Sequence, residues 1–195
     1  MNSNKQITRN IAVLGMFAAV TVVFQLLSYA IKIGTFNLSL VLIPIVLGAY
    51  LYGVKVGAIL GGVFGLVVTV CCFTGLDGGG YILVTASPFI TSAVCIIKGV
   101  AAGAMPALVA KALKNKNEYL AIVLAALIAP VVNTGLFVTA MFVFFKDILA
   151  SWASGANVVT YAITGLIGVN FIIEFTINAV MAPSLLRVTK AVNKL

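Results

Sequence analysis

The chain has 195 residues, of which 63% are apolar and 8% charged, with 12 Lys and Arg against 4 Asp and Glu and no histidine. Soluble globular chains are about a quarter charged and a surface this apolar aggregates in water, so the composition excludes a water-soluble domain and places the chain in a membrane. The missing histidine excludes Ser/His hydrolysis, His-ligated haem and His-based zinc sites. The formal charge of +8 does not read as a nucleic-acid surface, because the cations sit at the ends of apolar segments and not in one soluble patch.

A bilayer core about 30 Å thick takes about 20 apolar residues per helical span. Six such segments follow one another, which predicts an all-α bundle of six transmembrane helices forming one membrane domain over residues 1–195. The first segment covers about residues 11–31, after the polar head MNSNKQITRN. Lys5 and Arg9 before an apolar run, with Ser28-Tyr29-Ala30 after it, resemble a cleaved signal. That run is about 20 residues and signal cores are about 7 to 15, so it reads as a retained span. The second segment, about 37–52, is short and interrupted by Pro44. A tight joint at Gly53-Val54-Lys55 leads to the third, about 56–73. The fourth covers about 88–113, the fifth about 119–145 and the sixth about 158–188.

Cys71, Cys72 and Cys95 lie inside apolar runs with no metal-ligand spacing, and read as reduced packing residues. No metal and no cofactor are expected. With the N-terminus inside, the inner side holds Lys5, Arg9, Lys55, Lys111, Lys114, Lys116, Arg187, Lys190 and Lys194, and the outer side only Lys32 and Lys146. This asymmetry predicts cytoplasmic N- and C-termini and an even number of spans. Inner connections are short. The outer ones are longer: residues 32–36, then 74–87 with its glycine triplet, then 146–157. The middle one reads either as a mobile lid over a pocket or as a solvated linker.

Small residues recur every four positions. Gly53, Gly57, Gly61 and Gly65 line the third segment and Gly99 and Gly103 the fourth, as helices that pack closely in lipid require. Gly15 and Ala19 on the first helix suit either internal packing or a partner membrane protein. Polar groups at membrane depth cost several kcal/mol unless paired, hydrated or functional. Lys98 and Asn133 lie near mid-membrane, and Asn170, Glu174 and Asn178 form one stripe on the sixth helix. A cavity open to the outside follows. Lys98 then either clamps Glu174 in a buried ion pair or serves as counter-charge to an anionic ligand, with the asparagines hydrogen-bonding it.

Gly15-Met16-Phe17-Ala18-Ala19, residues 36–48 (FNLSLVLIPIVLG) and Gly53, Gly57 and Gly61 resemble the start of the substrate-binding S components of energy-coupling factor (ECF) vitamin transporters. Residues 98–103 (KGVAAG) and 129–135 (APVVNTG) are similar to that family too. The resemblance covers essentially the whole chain. It implies a six-helix protein of the bacterial plasma membrane that captures a vitamin or related micronutrient from outside with high affinity. Delivery would follow docking on a transmembrane coupling protein driven by two cytoplasmic ATPases. The family docks through an Ala-x-x-x-Ala pair on its first helix, and the matching positions are Gly15 and Ala19, with glycine replacing the first alanine. Carrying over the family's outer loops and outer helix halves gives Phe36, Asn37, Asp77, Tyr81, Lys98, Asn133, Trp152, Asn170 and Glu174 as substrate-binding candidates. No Walker A pattern is present, so ATP hydrolysis belongs to other chains.

One mid-membrane cation favours a carboxylate-bearing ligand, with pantothenate the first expectation and folate or riboflavin behind it. A solitary carrier or channel is the competing class. An enzyme is disfavoured, because the four acidic residues form no paired-carboxylate motif and no histidine base exists.

Overall fold

In the computed structural model the described residues are 3–29, 32–33, 36–37 and 40–192, and they form helices with one minimal strand pair. Helix α1 (Ser3–Ser28) is followed by β1 (Lys32–Ile33) and β2 (Phe36–Asn37), two antiparallel pieces in which Lys32 faces Asn37 and Ile33 faces Phe36. Then come α2 (Leu42–Tyr52), α3 (Val54–Thr74), α4 (Gly78–Ala86), α5 (Pro88–Leu113) and α6 (Glu118–Phe144). The chain ends with α7 (Lys146–Ala153), α8 (Val158–Tyr161), a wider π-helical stretch (Ala162–Gly168) and α9 (Val169–Val192).

Among the described residues, five helical stretches are long and apolar enough to cross a membrane: Ile11–Ser28, Val54–Thr74, Pro88–Leu113, Glu118–Phe144 and Val158–Val192. The second segment of the sequence reading is shorter than expected. Its helix begins at Leu42, not near residue 37, and its 11 residues rise only about 16 Å. Pro44 explains the start, because a proline without N–H is tolerated in the first helical turn and not further in. Gly53, at φ 87°, turns α2 directly into α3.

A second difference concerns the outer connections. The glycine-rich stretch expected as a loop contains α4, with Asp77 as its N-cap accepting from the Gly80 N–H at 2.9 Å. Residues 146–153 are likewise helical, as α7.

The glycines of α3 and α5 meet backbone to backbone. A Cβ on Gly61 would strike the Gly99 carbonyl oxygen, one on Gly57 the Gly103 oxygen, and one on Gly65 would sit 2.6 Å from the Cys95 oxygen. The fourfold spacing is thus an internal seam, as the packing reading had it. Around it, Leu42, Val46 and Tyr50 of α2 pack with Ala102, Ala110, Ala121, Ile122, Ala125, Ala126 and Ala129 of α5 and α6 and with Ala182 and Leu185 of α9. The surface is apolar in turn. Phe89, Val180, Ile11, Ile172 and Ile97 are each more than 60% exposed, which suits lipid and not water.

Candidate functional site

The polar exceptions to this apolar bundle gather at one end. Helices α1, α3 and α6 finish there, α5 and the final helix begin there, and α4 lies across it. Between them is a cavity of about 120 Å³ whose wall includes Gln25, Tyr29, Asp77, Thr91, Lys98, Asn133, Thr134 and Glu174, with Phe64, Phe137 and Phe171 between the polar groups. This volume holds several waters or a small organic molecule.

The wall is built in two tiers. Phe64 is ten residues before the end of α3, Lys98 ten residues into α5 and Asn133 eleven before the end of α6, which sets all three about 15 Å deep at 1.5 Å per residue. Thr91 is three residues into α5 and Gln25 three before the end of α1, about 5 Å deep by the same rise. Tyr29 and Asp77 stand at the mouth.

At the floor the Lys98 ammonium lies 5.3 Å from the centroid of the Phe137 ring and 5.9 Å from that of Phe64. Aromatic faces stabilise a cation at such distances. Glu174, 6% exposed, is on the same wall, and the amide of Asn178 one turn further on donates to its backbone oxygen at 2.8 Å. The stripe read on the sixth helix is therefore buried at Glu174 and Asn178.

Four atoms on this wall are conspicuous. Gln25 Oε1, the Tyr29 hydroxyl, Thr91 Oγ1 and Asn133 Oδ1 are buried without a hydrogen bond of good geometry, although the Gln25 side chain and the Cys71 thiol lie beside the Tyr29 hydroxyl. Most buried polar side-chain atoms in folded proteins are paired, and each one left alone costs about 1–3 kcal/mol. Their convergence on one cavity is the arrangement of a site that completes its hydrogen bonds with something bound.

Of the sequence candidates, Asp77, Lys98, Asn133 and Glu174 are brought together here. Trp152 is not among them. It lines a second cavity of about 580 Å³ with Ser151, Ser154, Tyr161 and, from α4, Gly78, Gly79 and Ile82. Tyr81 is half exposed and on the wall of neither cavity. Phe36 and Asn37 are placed as strand backbone and Asn170 as helix backbone, and the side chains of all three lie outside the described set. Sequence reasoning missed Gln25, Tyr29 and Thr91. Gln25 carried a readable signal, an amide inside an apolar run. The larger second cavity has no such convergence of orphaned polar atoms, so chemistry selects the first.

Helix α4 separates the two cavities, turning Gly80 and Leu83 to the first and Gly79 and Ile82 to the second. Gly80 is required there, since a Cβ would collide with Cys72 Sγ. On α1 the opposite situation holds. Gly15 and Ala19 are exposed, and nothing lies within 4 Å of where a Gly15 Cβ would be.

A family model described as "ECF transporter, substrate-specific component" matches residues 9–186. The chain belongs to this family. No curated protein matches it. Like other ECF substrate-specific components it is a multi-pass membrane transport subunit that binds a small molecule. It works with an energising module made of a membrane coupling protein and ATPases, and is not itself an ATPase.

Proposed function

We propose that this substrate-specific component captures a vitamin or related micronutrient in the cavity between α1, α3, α5, α6 and α9 and passes it to its energising module. The observation that carries the reading is the convergence of four orphaned buried polar atoms on the cavity that Lys98 lines. Lys98 and Asn133 form the floor, Asp77 and Glu174 belong to the wall, and Phe36, Asn37, Tyr81, Trp152 and Asn170 contribute from the connections and the last helix as it closes. Pantothenate is the first choice of ligand, with folate and riboflavin behind it.

The α4 end faces outward in this reading. Lys55, Lys111, Lys114, Lys116, Arg187 and Lys190 belong to the opposite end, which favours a cytoplasmic placement of that end and of both termini in a bacterial plasma membrane. The short α2 serves as the sixth span, packed against its neighbours and not across the full bilayer by itself. Docking on the coupling protein uses the small, open face at Gly15 and Ala19, where a partner helix can approach the backbone closely.

Replacing Lys98 by Met tests the site. A charge-assisted hydrogen bond contributes about 1.5–3 kcal/mol, so affinity should fall about ten- to hundred-fold with normal expression and melting temperature. Lost expression with unchanged affinity in the surviving protein would instead make Lys98 a structural clamp to Glu174. Uptake by this chain in cells lacking any coupling module would favour a solitary carrier.

A further inference from the structure

The two tiers of the cavity differ in chemistry, and the difference describes the ligand. The floor holds the cation, the Lys98 ammonium over Phe64 and Phe137, with the Asn133 amide at the same depth, able to donate through its nitrogen and accept through its unpartnered Oδ1, and the Glu174 carboxylate on the same wall. The mouth offers mainly acceptors. Gln25 Oε1 accepts only, the Tyr29 and Thr91 hydroxyls accept or donate, and all three residues are more than nine-tenths buried with those atoms unpartnered. Asp77 adds a carboxylate acceptor at the mouth, one oxygen of which already accepts from the Gly80 N–H at the α4 N-terminus. Thr91 and Lys98, seven residues apart on α5, share a helix face, since seven residues are nearly two turns, and both line the cavity. The distance between the tiers along α5 is about 10 Å.

Resting on the reading of this cavity as the capture site, we infer that the ligand is an elongated carboxylate about 10 Å long, bound acid end down on Lys98, with hydroxyl or N–H donors at its far end. The acid meets an ammonium seated on the ring faces of Phe64 and Phe137. The far end pairs with Gln25, Tyr29 and Thr91. Asn133 Oδ1 accepts from a donor nearer the acid. Short acids reach the floor and leave the mouth unpaired. Long ligands without an acid satisfy the mouth and leave Lys98 unmatched.

The test is calorimetric titration of the full-length purified protein with matched acid and neutral pairs: pantothenate with panthenol, and biotin with biotinamide. Nicotinate serves as a short acid, and riboflavin and thiamine as probes without a carboxylate. The expected result is tight binding of one long acid, at least about ten-fold weaker binding of its neutral partner, and weak or no binding of nicotinate. Lys98→Met should erase the difference between acid and neutral partner. Thr91→Val should weaken both members of the pair by a similar factor and leave their ratio intact. If Lys98→Met does not fold, the pairs on the wild-type protein decide the matter. Equal binding of acid and neutral partner, nicotinate binding as tightly as the long acids, or tight binding of riboflavin or thiamine alone would overturn the inference while leaving the capture reading standing. Silence toward every vitamin would overturn that reading itself, and the inference with it.

Discussion

Thr91 Oγ1 is buried and unpartnered in a helix whose one other hydroxyl, that of Ser92, donates to the Pro88 carbonyl at 2.7 Å. An unsatisfied buried hydroxyl costs about 1–3 kcal/mol, and valine has nearly the same shape without that cost. Thr91→Val should therefore raise the melting temperature of the ligand-free protein by a few degrees while weakening ligand binding. Thermal melts with and without ligand check this, and a fall in both stability and affinity would assign Thr91 to packing. At this scale the sequence was partly legible. Lys98, Asn133 and Glu174 announce themselves because a charge or amide in an apolar run is expensive. Gln25 obeys the same rule, an amide inside the apolar run of α1. Phe64 and Phe137 were not legible at all, since aromatic residues are ordinary in membrane helices and only their placement around the Lys98 ammonium distinguishes them.

The elements repeat this pattern. The α3 and α5 seam was legible from glycines at fourfold spacing, because lipid-embedded helices associate through close backbone approach. Gly61 and its neighbour Gly62 give a controlled pair. A Cβ at Gly61 strikes the Gly99 carbonyl oxygen, whereas one at Gly62 meets Val100 Cγ2 at 3.6 Å, an ordinary contact. Gly61→Ala should destabilise by at least the about 1–3 kcal/mol typical of overpacking. Gly62→Ala should be neutral or stabilising, because alanine gains about 1 kcal/mol of helix propensity over glycine. Equal melting temperatures for the two variants would count against the seam. Helix α4 was not legible. Three successive glycines argue against a helix, and they form one because Asp77 caps its start and Leu83 and Val84 bury themselves against the bundle. Tertiary contact outweighs local propensity there, and the fit to Cys72 at Gly80 shows why small residues are kept. The late start of α2 was half legible, since Pro44 marked a boundary whose position only the first-turn rule fixes.

For the whole molecule, composition alone placed the chain in lipid, and residue order supplied the rest: apolar spans, cations gathered at one end and polar groups at the other. Membership of the ECF substrate-specific components accounts for a binding cavity without an ATP site. The proposed division of labour between cavity and docking face makes a separable prediction. Gly15 has open space around it and lies about 15 Å along α1 from the nearest cavity residue on that helix, Gln25. Gly15→Trp should abolish vitamin uptake in cells that carry the coupling protein and ATPases while leaving equilibrium binding by the purified subunit unchanged. Normal uptake by this variant would remove α1 from the docking surface.

Capture of a vitamin by this chain alone is tested most directly by titration of the purified subunit with a vitamin panel in the absence of ATP and partner proteins. Saturable binding of one vitamin, with a raised melting temperature and a clear loss of affinity in Lys98→Met, is the predicted result. No heat of binding and no thermal shift with any vitamin would contradict it.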